Sequence, residues 1–197
     1  FPTRRSSDLE QYVEMALQYQ RLDSETTDFV FEETDLDEII RTSVRKYARQ
    51  FIAKKISMSY EPVETTVITD KKWLSFVIEQ VISNAVKYTK TGGIKIYLED
   101  GDGTMSVPVQ KASHRKEDDG ENSGMKSVRL VIEDTGIGIR AEDLPRICEM
   151  GYTGCNGHEG QHSSGIGLYL CSRILKKLGH TFSITSKEGV GTVVKIG

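Results

Sequence analysis

The sequence predicts an α/β sandwich built on a largely antiparallel sheet. Three observations carry this expectation. Apolar stripes at helical spacing run through residues 36–51, 73–85 and 166–178. Short alternating or continuous apolar runs lie between and after them. The runs flanking residues 100–126 and the turn at 189–192 read as hairpins.

The 197 residues, 37% hydrophobic and 28% charged, suit one good-sized domain with a short appendage. Residues 1–8 lack periodicity and are set apart from the fold as an artefact-like start. Leu9 to Leu22 carries a helical stripe of Leu9, Tyr12, Val13, Ala16, Leu17 and Tyr19, too short to be stable alone. Asp28-Phe-Val-Phe-Glu-Glu reads as a strand. Thr34-Asp-Leu-Asp resembles a capping box before a helix with Leu36, Ile40, Val44, Tyr47 and Phe51 inward. Ile56, Met58 and Tyr60 alternate as a half-buried strand, and Val67-Ile-Thr is a second short one.

Asp70 is placed to cap a helix whose apolar stripe is Trp73, Val77, Val81 and Ala85, widened by Leu74, Ile78 and Ile82. Strands follow at Ile94–Leu98 and Val128–Asp134, and the polar stretch of about 100–126 between them reads as a disordered insertion. A short helix is expected near Glu142–Glu149, then a glycine- and serine-rich loop over about 151–165 and a helix from Ile166 to Leu178. The last strands are Thr181–Thr185 and Thr192–Ile196.

Bulk charge excludes some partners. Lys+Arg 26 against Asp+Glu 29 gives a net charge of −3, so no basic field argues for nucleic acid. No apolar stretch approaches the ~20 residues that span a bilayer, and no signal peptide opens the chain, so these residues are expected to be soluble. Cys148, Cys155 and Cys171 are few and odd in number, which favours reduced thiols. Cys155, His158 and His162 match no standard zinc spacing and fall in a glycine-rich segment, expected to be a mobile loop.

Four short stretches hold the chemistry. Gln80, Asn84 and Lys87 are spaced four and three apart, so they share one helix face opposed to the apolar stripe and ending at Tyr88. An amide oxygen there can ligate Mg²⁺ and a lysine can reach phosphate, although a solvated helix face has the same pattern. Asp134-Thr-Gly-Ile-Gly follows a strand, where a carboxylate can accept from a base amino group and glycines admit the ring. An ordinary turn reads equally well. Ser163-Ser-Gly-Ile-Gly-Leu opens a helix whose N–H groups and dipole suit an anion. Gly189-Val-Gly-Thr192 taken alone is a hairpin turn.

In order, Asn84-Ala-Val-Lys-Tyr-Thr, Asp134-Thr-Gly-Ile-Gly, Gly165-Ile-Gly-Leu and Gly189-Val-Gly-Thr resemble the N, G1, G2 and G3 boxes of the histidine kinase ATPases. Their superfamily also holds gyrase B, HSP90 and MutL. Glu142-Asp-Leu-Pro-Arg-Ile-Cys-Glu-Met-Gly-Tyr-Thr-Gly is similar to the F box, and the resemblance covers about residues 28–197. It implies a Bergerat fold: a mixed, largely antiparallel sheet with helices packed on one face. Residues 1–27 would then hold the artefact-like start and the end of a second dimerisation helix.

The resemblance assigns Asn84 to Mg²⁺, Lys87 to phosphate and Tyr88 to the ribose or phosphates. Asp134 would bind the adenine amino group, Gly136 and Gly138 would line the base, and Thr192 would floor the pocket. Thr153, Ser164, Gly165, Ile166, Gly167 and Leu168 would contact nucleotide from the lid and the helix start. Gln80 stands where ATP-hydrolysing relatives carry a water-activating glutamate, and a neutral amide cannot take that proton. Glu79 is rotated about 100° off the shared face. Cys148 replaces the usual F-box phenylalanine, and His158 stands where related lids often carry arginine.

The function implied is that of a sensor histidine kinase catalytic domain, using ATP and Mg²⁺ to phosphorylate a histidine on a separate helical domain. A response-regulator aspartate would then take the phosphoryl group. None of His114, His158, His162 and His180 lies in a helical stretch with an adjacent acid, so the acceptor is expected upstream. The alternatives are an ATPase of the gyrase or HSP90 kind and a degenerate ATP-binding module. Gln80 and the short lid weigh against the first, and intact Asn84, Asp134, Gly165 and Gly167 against the second.

Leu9-Glu-Gln-Tyr-Val-Glu-Met-Ala-Leu-Gln-Tyr and Trp73-Leu-Ser-Phe-Val-Ile-Glu-Gln-Val are also similar to the small membrane sensor kinases of Gram-positive peptide-antibiotic responses. The implied partners are the chain's own dimerisation and phosphoacceptor domain, a response regulator, a transporter and a second copy in a homodimer. The implied location is the cytoplasmic side of a membrane-anchored kinase.

Overall fold

Five strands form the main sheet in the order β2–β4–β5–β7–β6, with β2 parallel to β4 and every other neighbour antiparallel. They are β2 (Ser57–Tyr60), β4 (Gly93–Pro108), β5 (Met125–Asp134), β6 (Phe182–Lys187) and β7 (Gly191–Ile196). A separate two-stranded sheet pairs β1 (Glu32–Asp35) with β3 (Thr66–Thr69). The helices are α1, seen as helical residues 13, 15–18 and 20–22, then α2 (Leu36–Lys54), α3 (Lys71–Tyr88) and α4 (Gly167–Leu178). The computed structural model describes residues 13, 15–18, 20–22, 29–63, 65–108, 125–154 and 164–197, without the side chains of 101–108, 125 and 126. None of its helices is long and apolar enough to cross a membrane.

The sheet presents one apolar face because the strand pattern has a period of two and the registers align it. Ile96, Ile132, Val194 and Ile184 form one cross-strand row, and Leu98, Leu130, Ile196 and Phe182 the next. This face shares a core with Val77, Ile78, Val81 and Ile82 of α3 and with Leu170, Ile174 and Leu175 of α4. The opposite face carries Lys95, Tyr97, Glu99 and Lys195, with a Lys195–Glu99 ion pair at 2.7 Å. Helices on one face and a mixed, mostly antiparallel sheet are the expected sandwich.

Several local expectations are corrected. The strand expected over 28–33 begins at Glu32, with Asp28 outside the described residues. Phe29 instead turns inward with its ring 5.8 Å from Trp73, and the Val30 N–H is taken by Asp70 at 2.9 Å, so neither joins a ladder. The cap of α2 is Asp35, which accepts from Glu38 N–H at 3.2 Å, one residue later than expected. Thr34 is engaged in β1 opposite Val67, and Asp37 accepts from Tyr60 and from Val63 N–H.

The helix expected over 142–149 is a single 3-10 turn, Leu144–Arg146, with Pro145 in its first positions. Strand pairing also runs into the stretch read as insertion, through Pro108 opposite Met125, with a register shift between Asp100 and Met105. Residues 109–124 of that stretch lie outside the described residues.

Candidate nucleotide site

The polar face of α3 is set by what holds its two ends. Asp70 caps the first turn by accepting from Trp73 N–H at 3.1 Å. At the other end the Lys54 ammonium, from the last turn of α2, donates to the carbonyls of Val86, Lys87 and Thr89. A cation at a helix C-terminus satisfies orphan carbonyls and opposes the dipole's negative end.

Between these ends Gln80 donates from Nε2 to Asn84 Oδ1 at 3.2 Å, which orients the Asn84 oxygen. Gln80 is buried, and Gly167 at the start of α4 packs directly on it. A Cβ at Gly167 would lie 2.7 Å from Gln80 Nε2, so a larger residue there would displace the Gln80 amide. Glu79 points the other way and pairs with Lys46 of α2 at 2.6 Å. The Lys87 ammonium lies 5.4 Å from the Tyr88 ring centroid.

Asp134 ends β5 on the core-facing side, because it continues the period of Leu130 and Ile132. Its row is Ile94, Asp134, Thr192 and Ser186. The carboxylate accepts from Gly136 N–H at 2.8 Å and from the backbone of Thr192. Burial nonetheless holds its carboxyl above the usual range, against those two hydrogen bonds.

Gly136 carries the close approach here. A Cβ would lie 2.8 Å from the Tyr88 carbonyl oxygen, which also accepts from Ile137 N–H at 3.2 Å. The end of α3 is thereby stitched to the end of β5. The same loop is tied to the β6–β7 hairpin. Gly189 N–H donates to Ile137 O at 2.8 Å, Ile139 N–H to Ser186 Oγ at 2.9 Å, and Gly138 abuts the Lys187 carbonyl.

The loop before α4 has paired ends. Gly151 N–H donates to Gly165 O at 3.0 Å, and Ser164 Oγ accepts from Ile166 N–H at 3.3 Å. Tyr152 is fixed by its hydroxyl on buried Asp143 and by the Arg146 guanidinium, 4.3 Å from the ring centroid. Thr153 and Leu168 are half-buried beside these ends. Residues 155–163, with Cys155, His158 and His162, lie outside the described residues, as does His114. Among the described residues no His/Cys/Asp/Glu group has the makings of a metal site, and Cys148 and Cys171 are free thiols.

Two groupings result. Gln80 and Asn84 meet Gly167 at the α4 N-terminus, which suits phosphate oxygens and a cation held between them. Tyr88, Asp134, Gly136 and Thr192 meet at the strand ends, which offer acceptors to a base edge. Sequence reading missed Lys54, the Asp143–Tyr152 contact and Ser186. Ser186 was reachable, because a hairpin centred on Gly189 sets it opposite Thr192.

A family model described as "Histidine kinase-, DNA gyrase B-, and HSP90-like ATPase" matches residues 69–197. The sensor histidine kinase YxdK of Bacillus subtilis is 33% identical over 187 residues, covering 93% of this chain and 50% of that protein. The sensor protein kinase GraS of Staphylococcus aureus is 30% identical over 177 residues, covering 89% and 44%. The chain thus spans about half the length of the curated relatives it matches.

Among solved structures, full-length ShkA in complex with AMPPNP superposes with a TM-score of 0.73 at 19% identity, covering 98% of this chain and 36% of ShkA. A nucleotide-free catalytic domain of histidine kinase ThkA gives 0.63 at 21% identity, covering 85% and 94%. These two likenesses concern the fold.

Proposed function

The chain belongs to the histidine kinase-, DNA gyrase B- and HSP90-like ATPase family, and from that premise we propose that it is the ATP-binding catalytic domain of a two-component sensor histidine kinase. The single observation that carries the kinase over the ATPase reading is Gln80. It occupies the general-base position as an amide, and its nitrogen is committed to Asn84. An amide cannot take a proton from water, so the site favours transfer to an external nucleophile over hydrolysis.

In this reading Asp134 accepts a hydrogen bond from the adenine amino group, beside Thr192, with Gly136 and Gly138 admitting the ring. Lys87 and the N–H groups of Gly165, Gly167 and Leu168 bind the phosphates, with Thr153, Ser164, Ile166 and Tyr88 at the edges. The donor set around Asn84 fits Mg²⁺. A single amide oxygen with a free lone pair suits an ion that takes most of its ligands from phosphates and water. That ion supplies charge neutralisation on the transferring phosphoryl group. The chain's own residues orient the nucleotide and present its γ-phosphorus to an incoming imidazole.

The proposed partners are a helical dimerisation and phosphoacceptor domain, a response regulator and, by the sequence resemblance to the peptide-antibiotic sensor kinases, a transporter. The full-length protein is proposed to be a homodimer anchored in a membrane with this domain on its cytoplasmic side. No nucleic acid partner is proposed.

Titration of ATP with and without Mg²⁺ tests the metal assignment. Mg²⁺ should tighten ATP binding to the native chain, and Asn84→Ala should lose that gain while keeping metal-free binding. A full Mg²⁺ gain in Asn84→Ala would remove Asn84 from the metal.

A further inference from the structure

Ser186 lies outside the four sequence boxes, yet its hydroxyl joins three of the site's segments. Ser186 Oγ accepts from Ile139 N–H at 2.9 Å, beside the glycine loop after β5. It lies 2.8 Å from the Gly191 carbonyl oxygen and 3.0 Å from Thr192 Oγ1. The proton count then fixes the polarity. A carbonyl can only accept, so the one Ser186 proton goes to Gly191 O. The contact with Thr192 must therefore be made by the Thr192 proton, which points at Ser186. Both lone pairs of Ser186 are then filled, by Ile139 N–H and by Thr192 O–H.

This leaves Thr192 Oγ1 with lone pairs and no proton for anything else. Thr192 is the register partner of Asp134, so the two side chains stand side by side on the same sheet face. The strand ends thus offer only acceptors, a carboxylate and a hydroxyl oxygen. Such a pair accepts from an exocyclic amino group and repels a ring carbonyl in its place.

We propose that Ser186 is a positioning residue for base selection, holding the Thr192 hydroxyl as an acceptor so that the Asp134–Thr192 pair rejects 6-oxo purines. The inference rests on the reading of this site as an ATP site. Without Ser186 the Thr192 hydroxyl turns freely and can donate to a 6-oxo group. Discrimination then falls without loss of the pocket.

The experiment compares ATP with ITP, which carries a 6-oxo group and lacks the 2-amino group of guanine. Affinities of both are measured for the native chain, Ser186→Ala and Ser186→Thr, with thermal melts in parallel. The native chain should prefer ATP, and Ser186→Ala should cut the ATP/ITP affinity ratio about fivefold or more, as expected for one hydrogen bond changing sign. Ser186→Thr keeps the hydroxyl and should restore the native ratio.

Equal losses for both nucleotides, with the ratio unchanged, would overturn the proposal and leave Ser186 as a prop of the hairpin. If Ser186→Ala does not fold, Thr192→Val carries the test. Removing the acceptor should lower the ratio there too, and an unchanged ratio is again contrary. A native chain that binds neither nucleotide would sink the ATP reading itself, which separates the two failures.

Discussion

Asp134 is held where burial and hydrogen bonding oppose each other. Burial pushes its carboxyl up, while the Gly136 and Thr192 amides pull it back. A raised folded-state pKa binds protons that the unfolded chain has already released. Asp134 therefore costs stability once the pH rises above the ordinary value of about 3.9. Asp134→Asn should leave the melting temperature of the nucleotide-free chain equal or higher. It should weaken ATP binding by ~1–3 kcal/mol, because a pure acceptor becomes a mixed group. Calorimetry on the two proteins checks both signs, and a variant that melts earlier yet binds ATP normally would refute both.

His180 has the opposite sense. Its ring is buried, with Nε2 3.0 Å from Thr69 Oγ1, and burial lowers its pKa. The neutral ring's contribution is complete above the unfolded value of about 6.5 and is lost as the pH falls below it. Melts between pH 5 and 7.5 should show stability falling on acidification, with a shallower slope near pH 6 for His180→Phe. Identical slopes would place the titration elsewhere.

At the scale of elements, α3 is held from outside at both ends, by Asp70 and by Lys54. Lys54→Met should destabilise the fold by about 1 kcal/mol, the usual size of a cation's effect at a helix C-terminus, and Lys54→Arg should recover part of it. Urea melts read this, and no change on Lys54→Met would mean that water serves those carbonyls as well.

The same helix shows what the sequence made legible. Its stripe from Trp73 to Ala85 and its cap at Asp70 follow from spacing alone, as do the alternating rows of β5 and β7. The start of β1 does not. Val30 is claimed by Asp70, forty residues away, and Phe29 by Trp73, and neither partner can be read from residues 28–35. The site residues stood out through glycines and short spacings. Lys54 acts through hydrogen bonds between elements, which local patterns do not report, whereas Ser186 opposite Thr192 follows from the hairpin register.

For the whole molecule, the nucleotide groupings lie where α3, the end of β5, the β6–β7 hairpin and the start of α4 converge. Two junctions are backbone hydrogen bonds, Ile137 N–H on Tyr88 O and Gly189 N–H on Ile137 O, and the third sets Gly167 against the Gln80 side chain. A frame tied in this way can orient a nucleotide without supplying a nucleophile of its own, which is the division of labour proposed for a catalytic domain acting on a separate histidine. In the proposed reading, Gln80 is the residue on which kinase and ATPase part.

The decisive measurement gives labelled ATP·Mg to this chain, alone and with the helical phosphoacceptor domain of the same full-length protein added as a separate polypeptide. The account predicts no label on the chain alone, very slow release of phosphate, and acid-labile label on the added domain. Brisk phosphate release by the chain alone, with no label on the added domain, would contradict it.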